Sequence, residues 1–429
     1  MSERVVRVGL LGCGHVGSAA ARILHDHADD IQRRVGARIE VTRVAVRNLS
    51  KDRDVPVAAD RFTSDPHEIV NDPEIDVVVE VIGGIEPARS LILEAIANGK
   101  GVVTANKELI STLGREIFDA AEAAGVDVSF EAAVGGGIPL IHPLKESLAG
   151  ERITRLIGIV NGTTNYILTR MTEEAMSFSE AVAEAQGLGY AERDPSADVE
   201  GFDAAAKCAI LASIAFNARV VAGDVYREGI TDVTLQDIEF ADRLGYVVKL
   251  LAIAELDEGE IAARVHPAMI PKDHPLAAVR ESFNAVFVEG ENVGELMFYG
   301  RGAGGPPTGT AVAGDVIDVA RNLVYGGRGV GCTCYEDRRV RPMDRMHSQY
   351  YLLLEVADEP GVLASVAGAF AKNDVSIRSV WQEGTGEEAL LVMITHRGNE
   401  GAMQQTIHDL RELSAVTAVR SVMRVEGVE

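Results

Sequence analysis

VVRVGLLGCGHVGSAAARILHDH, residues 5–27, changes its hydrophobic period part-way along. Val5–Leu11 is an almost unbroken apolar run, which suits a strand buried on both faces. From His15 the apolar side chains return at helical spacing. Between the two stand Gly12, Gly14 and Gly17. A GxGxxG string alone is a weak signal, because a plain strand-to-helix turn can carry it. Placed directly after a strand and opening a helix, it gains a physical meaning: a tight turn, close backbone approach to a pyrophosphate, and a helix N-terminus facing the anion.

The same rhythm continues. IEVTRVAV, DVVVEVIG and GVVTAN read as strands and ARSLILEAIANGK as a helix. Such βαβ units give a Rossmann-type doubly wound parallel sheet, expected over residues 1–135. The strand before Arg47 ends without the acid that would hold the free ribose hydroxyls of NAD. Arg47 stands there instead, and paired with a 2′-phosphate it points to NADP; facing solvent, it would leave either dinucleotide acceptable.

Residues 136–304 group strands and helices rather than alternating them, so an α+β domain with a mostly antiparallel sheet is expected, serving catalysis and dimerisation. The helical pattern at 305–325 is expected to return to the first domain. Residues 326–348 lose apolar periodicity and gain Gly and Arg, as a linker does. From 349 to 429 the order βαββαβ, including the strand EALLVMITH, spells a separate ferredoxin-like domain.

Composition removes several classes of function. With 65 acidic against 41 basic side chains, the net charge is −24, which disfavours binding to a phosphate backbone. No apolar stretch approaches the roughly 20 residues that span a bilayer, and the N-terminus runs into a strand without a cleavable signal, so a cytoplasmic protein is expected. Cys13, Cys208, Cys332 and Cys334 are too scattered for a disulfide framework, and the CTC pair lacks zinc-ligand spacing; reduced thiols are expected.

AERDPSADVEGFDAAAK, residues 191–207, sets Glu192, Asp194, Asp198, Glu200 and Asp203 ahead of Lys207. A solvated acidic loop is the ordinary reading of such a cluster. Against it, Pro195 and Gly201 shape the segment and an apolar helix follows, on which Asp203 and Lys207 stand four apart on one face. An amine held by a carboxylate at the mouth of a buried helix is a candidate general acid. Asp194 and Glu200 are left as loop-shaping or solvated, and His142 and His266 as structural.

GLLGCGHVGSA, VEVIGG, TANK, EAAVGGGIPLI, NGTTNYIL, GYAERDPSADVEGFDAAAK and the Gly-rich loop near Gly304 together resemble the homoserine dehydrogenase family, in the bacterial form with a C-terminal ACT domain. The likeness spans essentially the whole chain, with the motifs in the family's order. It implies the reversible NADPH- or NADH-dependent reduction of L-aspartate 4-semialdehyde to L-homoserine, on the route to threonine and methionine. Carried over by residue, it implies Lys207 as proton donor, with Asp203 beside it and Lys107 as a second catalytic amine. It implies Glu192, Asp198, Thr163 and Tyr190 at the substrate, and adds His15, Val16, Thr104, Lys107 and Gly304 to the cofactor contacts. A sodium ion is implied at Glu131, Val134, Gly136 and Ile138. The chemistry agrees: hydride delivered to a carbonyl leaves an alkoxide that needs a proton, and the substrate's ammonium needs acids.

Two rival readings fit the residues less well. An oxidative semialdehyde dehydrogenase needs an activated cysteine, but Cys208 lies roughly 100° around the helix from Lys207 and Cys13 sits in the cofactor turn. A non-catalytic amino-acid sensor would not need both lysines. LEVADEPGVLASVAGAFAKNDVSI resembles an ACT domain, where family context implies L-threonine as effector near Asp358, Gly361 and Asn373; an assembly module without ligand is the alternative. Sheet edges make a homodimer or homotetramer the expected state.

Overall fold

The computed structural model describes residues 4–384 and 389–427. The chain forms two compact units: Met1–Leu156, Ala206–Asp224 and Phe283–Arg338 make the first, and Ile157–Ala205, Val225–Ser282 and Arg339–Glu429 the second.

In the first unit six parallel strands run in the order Phe62–Thr63, Arg38–Ala45, Val5–Leu11, Val77–Glu80, Gly101–Thr104, Val128–Ser129. Val77–Glu80 and Gly101–Thr104 are buried at every position. That burial follows from helices on both faces and explains why these segments show no polar alternation. On one face helices His15–Asp26 and Gly305–Tyr325 close a core of Leu10, Val79, Val103, Val312 and Val316. On the other, Ala88–Ala97 and Lys107–Ala124 cover Val78, Val102, Leu91 and Ile117. Gly309 is required between the first pair of helices, since a Cβ there would lie 2.7 Å from that of Ala19. A helix not anticipated from the sequence, Ala28–Val35, ends on left-handed Gly36. Strand order reverses between Val5–Leu11 and Val77–Glu80, and sheets of this type bind ligands beyond the carboxyl ends at that point. Phe283–Gly290 and Gly294–Arg301 form an antiparallel hairpin.

The second unit is built on Tyr246–Asp257 running antiparallel to Glu260–Pro271, with Tyr246 opposite Pro271. The C-terminal residues follow the βαββαβ order: His347–Val356, Val362–Lys372, Ile377–Glu383, Leu390–Thr395, Glu400–Glu412, Val416–Val425. Glu388, the first residue of the strand expected from EALLVMITH, lies outside the described residues. Strand Val416–Val425 pairs in parallel with Glu260–Pro271, Ala268 facing Arg424, so the ferredoxin-like sheet runs on into the unit's other sheet. Buried charges seal that junction. Arg424 donates to Glu400 (2.8 Å) and Glu228 (2.9 Å), and Arg264 to Glu255 (2.8 Å) and Glu426 (2.9 Å). Among the described residues, 326–342 form only isolated bridges, and no helix is long and apolar enough to cross a membrane.

Candidate active site

The glycine loop of the first unit divides by function. Gly12 has φ +105°, and a Cβ on Gly17 would stand 2.4 Å from the Gly12 carbonyl oxygen, so both are needed by the fold itself. Gly14 has open space around its Cβ position and caps helix His15–Asp26 without a side-chain hydrogen bond. Main-chain N–H groups there are left for an anion. Gly304, at φ +116°, turns the chain into helix Gly305–Tyr325 and brings Gly305 against the His15 carbonyl. A cavity of about 620 Å³ opens here, lined by Gly14, His15, Ser18 and Pro306. Val16 packs against the core beneath. Arg47 is exposed just past its strand; the basic side chains lining the cavity are Arg22, Lys51 and Arg53. Sequence reasoning missed Lys51 and Arg53, which lie in an irregular loop with no periodic signal. Arg53 donates to the Asn48 and Lys51 carbonyls, and Arg22 to Asp54 (2.5 Å).

The motifs VEVIGG and TANK prove to be two halves of one hydrogen-bonded device. Buried Glu80 accepts from Ile82 N–H (2.8 Å), Gly83 N–H (2.9 Å) and the Thr104 hydroxyl (2.6 Å). Thr104 in turn accepts from Asn106 N–H at 3.0 Å. The Asn106 amide donates to the Gly84 carbonyl (2.7 Å) while its oxygen caps Leu109 N–H (3.1 Å). Lys107 is thereby fixed as the first residue of helix Lys107–Ala124, half-buried.

Glu131 is buried and accepts from three consecutive backbone N–H groups, Leu140 (2.5 Å), Ile141 (2.8 Å) and His142 (2.8 Å). Its backbone N–H reaches Asp315, which also accepts from His142 Nε2 (2.8 Å). The Asp315 bond lifts the His142 imidazole to about 9, and burial pushes the Asp315 carboxyl up to about 6. Left-handed Gly135 and Gly136 turn the chain through Val134, Gly136 and Ile138, and a Cβ on Gly136 would meet the Gly302 oxygen at 2.4 Å. His142 also meets Glu146, through Nδ1 at 3.0 Å, more partners than its spacing indicates.

In the second unit the acidic segment is organised by a residue that spacing did not single out. Asn161 caps helix Gly162–Glu174, its oxygen accepting from Thr164 N–H at 2.9 Å. Its amide donates to Asp198 (2.6 Å) and to Asp203 (2.8 Å) at once. Two carboxylates that would repel are so held side by side. The Thr163 hydroxyl donates to the Tyr190 carbonyl (2.8 Å), and the Tyr190 ring lies 5.0 Å from that of Tyr166. Glu192 is exposed, outside the Asn161 clamp. Asp194 accepts from Ser196 N–H and hydroxyl, which holds its carboxyl below the usual range and makes it the loop-shaping residue expected. Left-handed Gly201 then admits helix Phe202–Ala215, which from Ala206 on is counted with the first unit; on it half-buried Lys207 follows Asp203 by one turn and Cys208 is buried.

Comparison with known proteins meets this geometry. The family model for homoserine dehydrogenase matches residues 139–317, that for the homoserine dehydrogenase NAD binding domain residues 12–131, and that for the ACT domain residues 350–415. Homoserine dehydrogenase of Mycobacterium tuberculosis is 50% identical over 436 residues, covering 99% of this chain and 98% of its own. That of Corynebacterium glutamicum is 47% identical over 426 residues, covering 98% and 96%. The crystal structure of a homoserine dehydrogenase from Thiobacillus denitrificans superposes with a TM-score of 0.94 at 43% identity, over 99% of both chains. A hyperthermophilic archaeal homoserine dehydrogenase, solved in complex with NADPH, gives 0.63 at 30% identity over 73% of this chain and 97% of its own. A dinucleotide fold with an open glycine loop, an acidic clamp leading into the lysine helix and a terminal ferredoxin-like sheet all fall inside those matches, and the chain belongs to the homoserine dehydrogenase family, NAD(P)-dependent oxidoreductases acting on a CH–OH group, here with an ACT domain.

Proposed function

We propose that the protein interconverts L-aspartate 4-semialdehyde and L-homoserine with Lys207 as the group that protonates the nascent alkoxide. The bound nicotinamide supplies the hydride. Lys207 gives its proton to the carbonyl oxygen as negative charge develops there, and Asp203, one helical turn before it, orients the amine. Asp198 and Glu192 grip the substrate ammonium, Thr163 and Tyr190 line the pocket, and Lys107 meets the substrate carboxylate. Asn161 positions rather than reacts. The observation that carries this reading is its amide joining Asp198 to Asp203, since an amino-acid substrate requires carboxylates gathered for its ammonium.

The cofactor contacts proposed are Gly12, Gly14, His15, Val16, Gly17, Thr104, Lys107 and Gly304, with NADP preferred over NAD. Arg47 is one candidate for a 2′-phosphate; Lys51 and Arg53, which line the cavity together with Asp52 and the Arg22–Asp54 pair, are others, and the NADPH complex of the archaeal relative supports the same preference. Sodium suits the oxygens of the Glu131 turn. Three N–H groups leave one carboxylate lone pair free, and among the described residues the Val134, Gly136 and Ile138 carbonyls accept no backbone hydrogen bond. Glu131 and those carbonyls would hold the ion and stiffen the turn.

L-threonine is proposed as the ACT-domain ligand, beside Asp358, left-handed Gly361 and Asn373, whose amide is anchored on Asp409 at 2.9 Å. A homodimer or homotetramer in the cytoplasm completes the reading, the four free cysteines supporting a reducing compartment. The test is spectrophotometric. Homoserine-dependent reduction of NADP⁺ exceeding that of NAD⁺ is expected, with turnover falling as threonine is added. Absence of homoserine-dependent turnover with both cofactors removes the assignment; turnover and melting temperature unmoved by threonine remove the regulatory part alone.

A further inference from the structure

The Cys332-Thr333-Cys334 segment of the first unit has no role in the reaction above. Its two thiols are unbridged, Cys332 exposed and Cys334 half-buried. Cys334 N–H donates to the Cys332 sulfur at 3.5 Å, and Tyr335 N–H donates to the Thr333 carbonyl at 3.0 Å, a tight turn that sets the second cysteine back against the first. Both line a small cavity whose apolar wall includes Phe118 and Phe130 and whose charged wall is Lys145 and Arg219. The Lys145 amine is anchored there by the Val330 carbonyl at 2.7 Å. The Cys334 sulfur lies 4.0 Å from the Ser213 carbonyl oxygen. No other charged side chain lines this cavity among the described residues; Glu146 and Asp315 act on Lys145.

We propose that Cys332 and Cys334 form a thiol–disulfide exchange site for small organic disulfides, Cys332 attacking and Cys334 resolving. The Cys332 thiolate attacks one sulfur of RSSR, its S–S bond breaks, and RS⁻ leaves, giving a mixed disulfide on Cys332. Cys334 then loses its proton to solvent and attacks the Cys332 sulfur, expelling the second RS⁻. The sum is two cysteine thiols plus RSSR giving one Cys332–Cys334 bond and two RSH. The electrostatics divide the labour in the same sense. A thiol hydrogen bond from Cys334, together with its backbone N–H and the nearby Arg219 and Lys145 cations, holds the Cys332 thiol down to about 6, while that thiol bond and burial push Cys334 up. An exposed low-pKa thiol beside cations and a second thiol is the arrangement that reacts selectively.

The test uses the full-length protein and glutathione disulfide as probe, read by intact mass and peptide mapping, with circular dichroism confirming that each variant is folded. Wild type is expected to lose two hydrogens' mass with a Cys332–Cys334 link and no retained glutathione. Cys334→Ser should keep one glutathione on Cys332, and Cys332→Ser should show neither link nor adduct at Cys334. In parallel, iodoacetamide at pH 6.5 should alkylate Cys332 roughly fivefold faster in wild type than in Lys145→Met/Arg219→Met, the gain in thiolate fraction being offset in part by lower nucleophilicity. A stable glutathione adduct on wild-type Cys332, reaction at Cys13 in its place, or equal alkylation rates would overturn the proposal.

Discussion

In the glycine loop at 12–17 the surface left for a ligand is main chain, with Gly14 open and its neighbours held by Gly12 and Gly17. In the segment at 190–207 it is made of carboxylates, and what holds two of them together is an amide at Asn161, far back in the chain. A backbone cradle needs residues that lack side chains, and glycines at fixed offsets announce it. A side-chain clamp needs a partner that the fold supplies, and the partner can stand anywhere. The first kind of site should therefore fail by steric blockage and the second by loss of charge placement.

The largest effect is expected at Lys207. Lys207→Ala should lower kcat by about 10²–10⁴-fold, the usual worth of a positioned general acid, and leave NADPH affinity intact. Unimpaired turnover would move the proton to Lys107 or water. Next come the two glycines, where the comparison can be broken directly. Gly17→Ala drives a methyl into the Gly12 carbonyl and should cost about 1–3 kcal/mol of stability, seen as a fall in melting temperature. Gly14→Ala meets no protein atom, so it should melt like the parent and still bind NADPH at least tenfold more weakly by fluorescence titration, a loss of about 1.4 kcal/mol. Equal behaviour of the two variants would mean that the loop is not divided as described.

The sequence made the parallel sheet legible because Val77, Val78 and Val79, and Gly101, Val102 and Val103, carry no polar side chain, as double-sided burial demands. Lys207 and Asp203 were legible because helical spacing is local. Asn161 was hidden inside NGTT, where it reads as an ordinary helix cap; nothing in its neighbours shows that the same amide spans two carboxylates about forty residues on. Lys51 and Arg53 were hidden for a different reason, since an irregular loop carries no period to read. The continuity of the ACT sheet with strand Glu260–Pro271 was likewise invisible, because strand pairing between distant segments leaves no local trace.

The smallest expected effect tests the link between VEVIGG and TANK. Thr104→Val removes the hydroxyl that joins Glu80 to Asn106 and should cost about 1 kcal/mol of stability, the net worth of one hydrogen bond, with any loss at this proposed cofactor contact appearing in the NADPH KM. Thermal melting alongside the standard assay checks both halves.

The separation of a main-chain cofactor cradle from a side-chain substrate clamp is tested most directly in Asn161→Asp. That change retains an oxygen to cap Thr164 and sets a third carboxylate against Asp198 and Asp203. Titration of NADPH and of homoserine into this variant should give an unchanged NADPH Kd and a homoserine affinity weakened about tenfold or more, the scale of one displaced charge. Parallel weakening of both ligands, or of neither, would contradict the account.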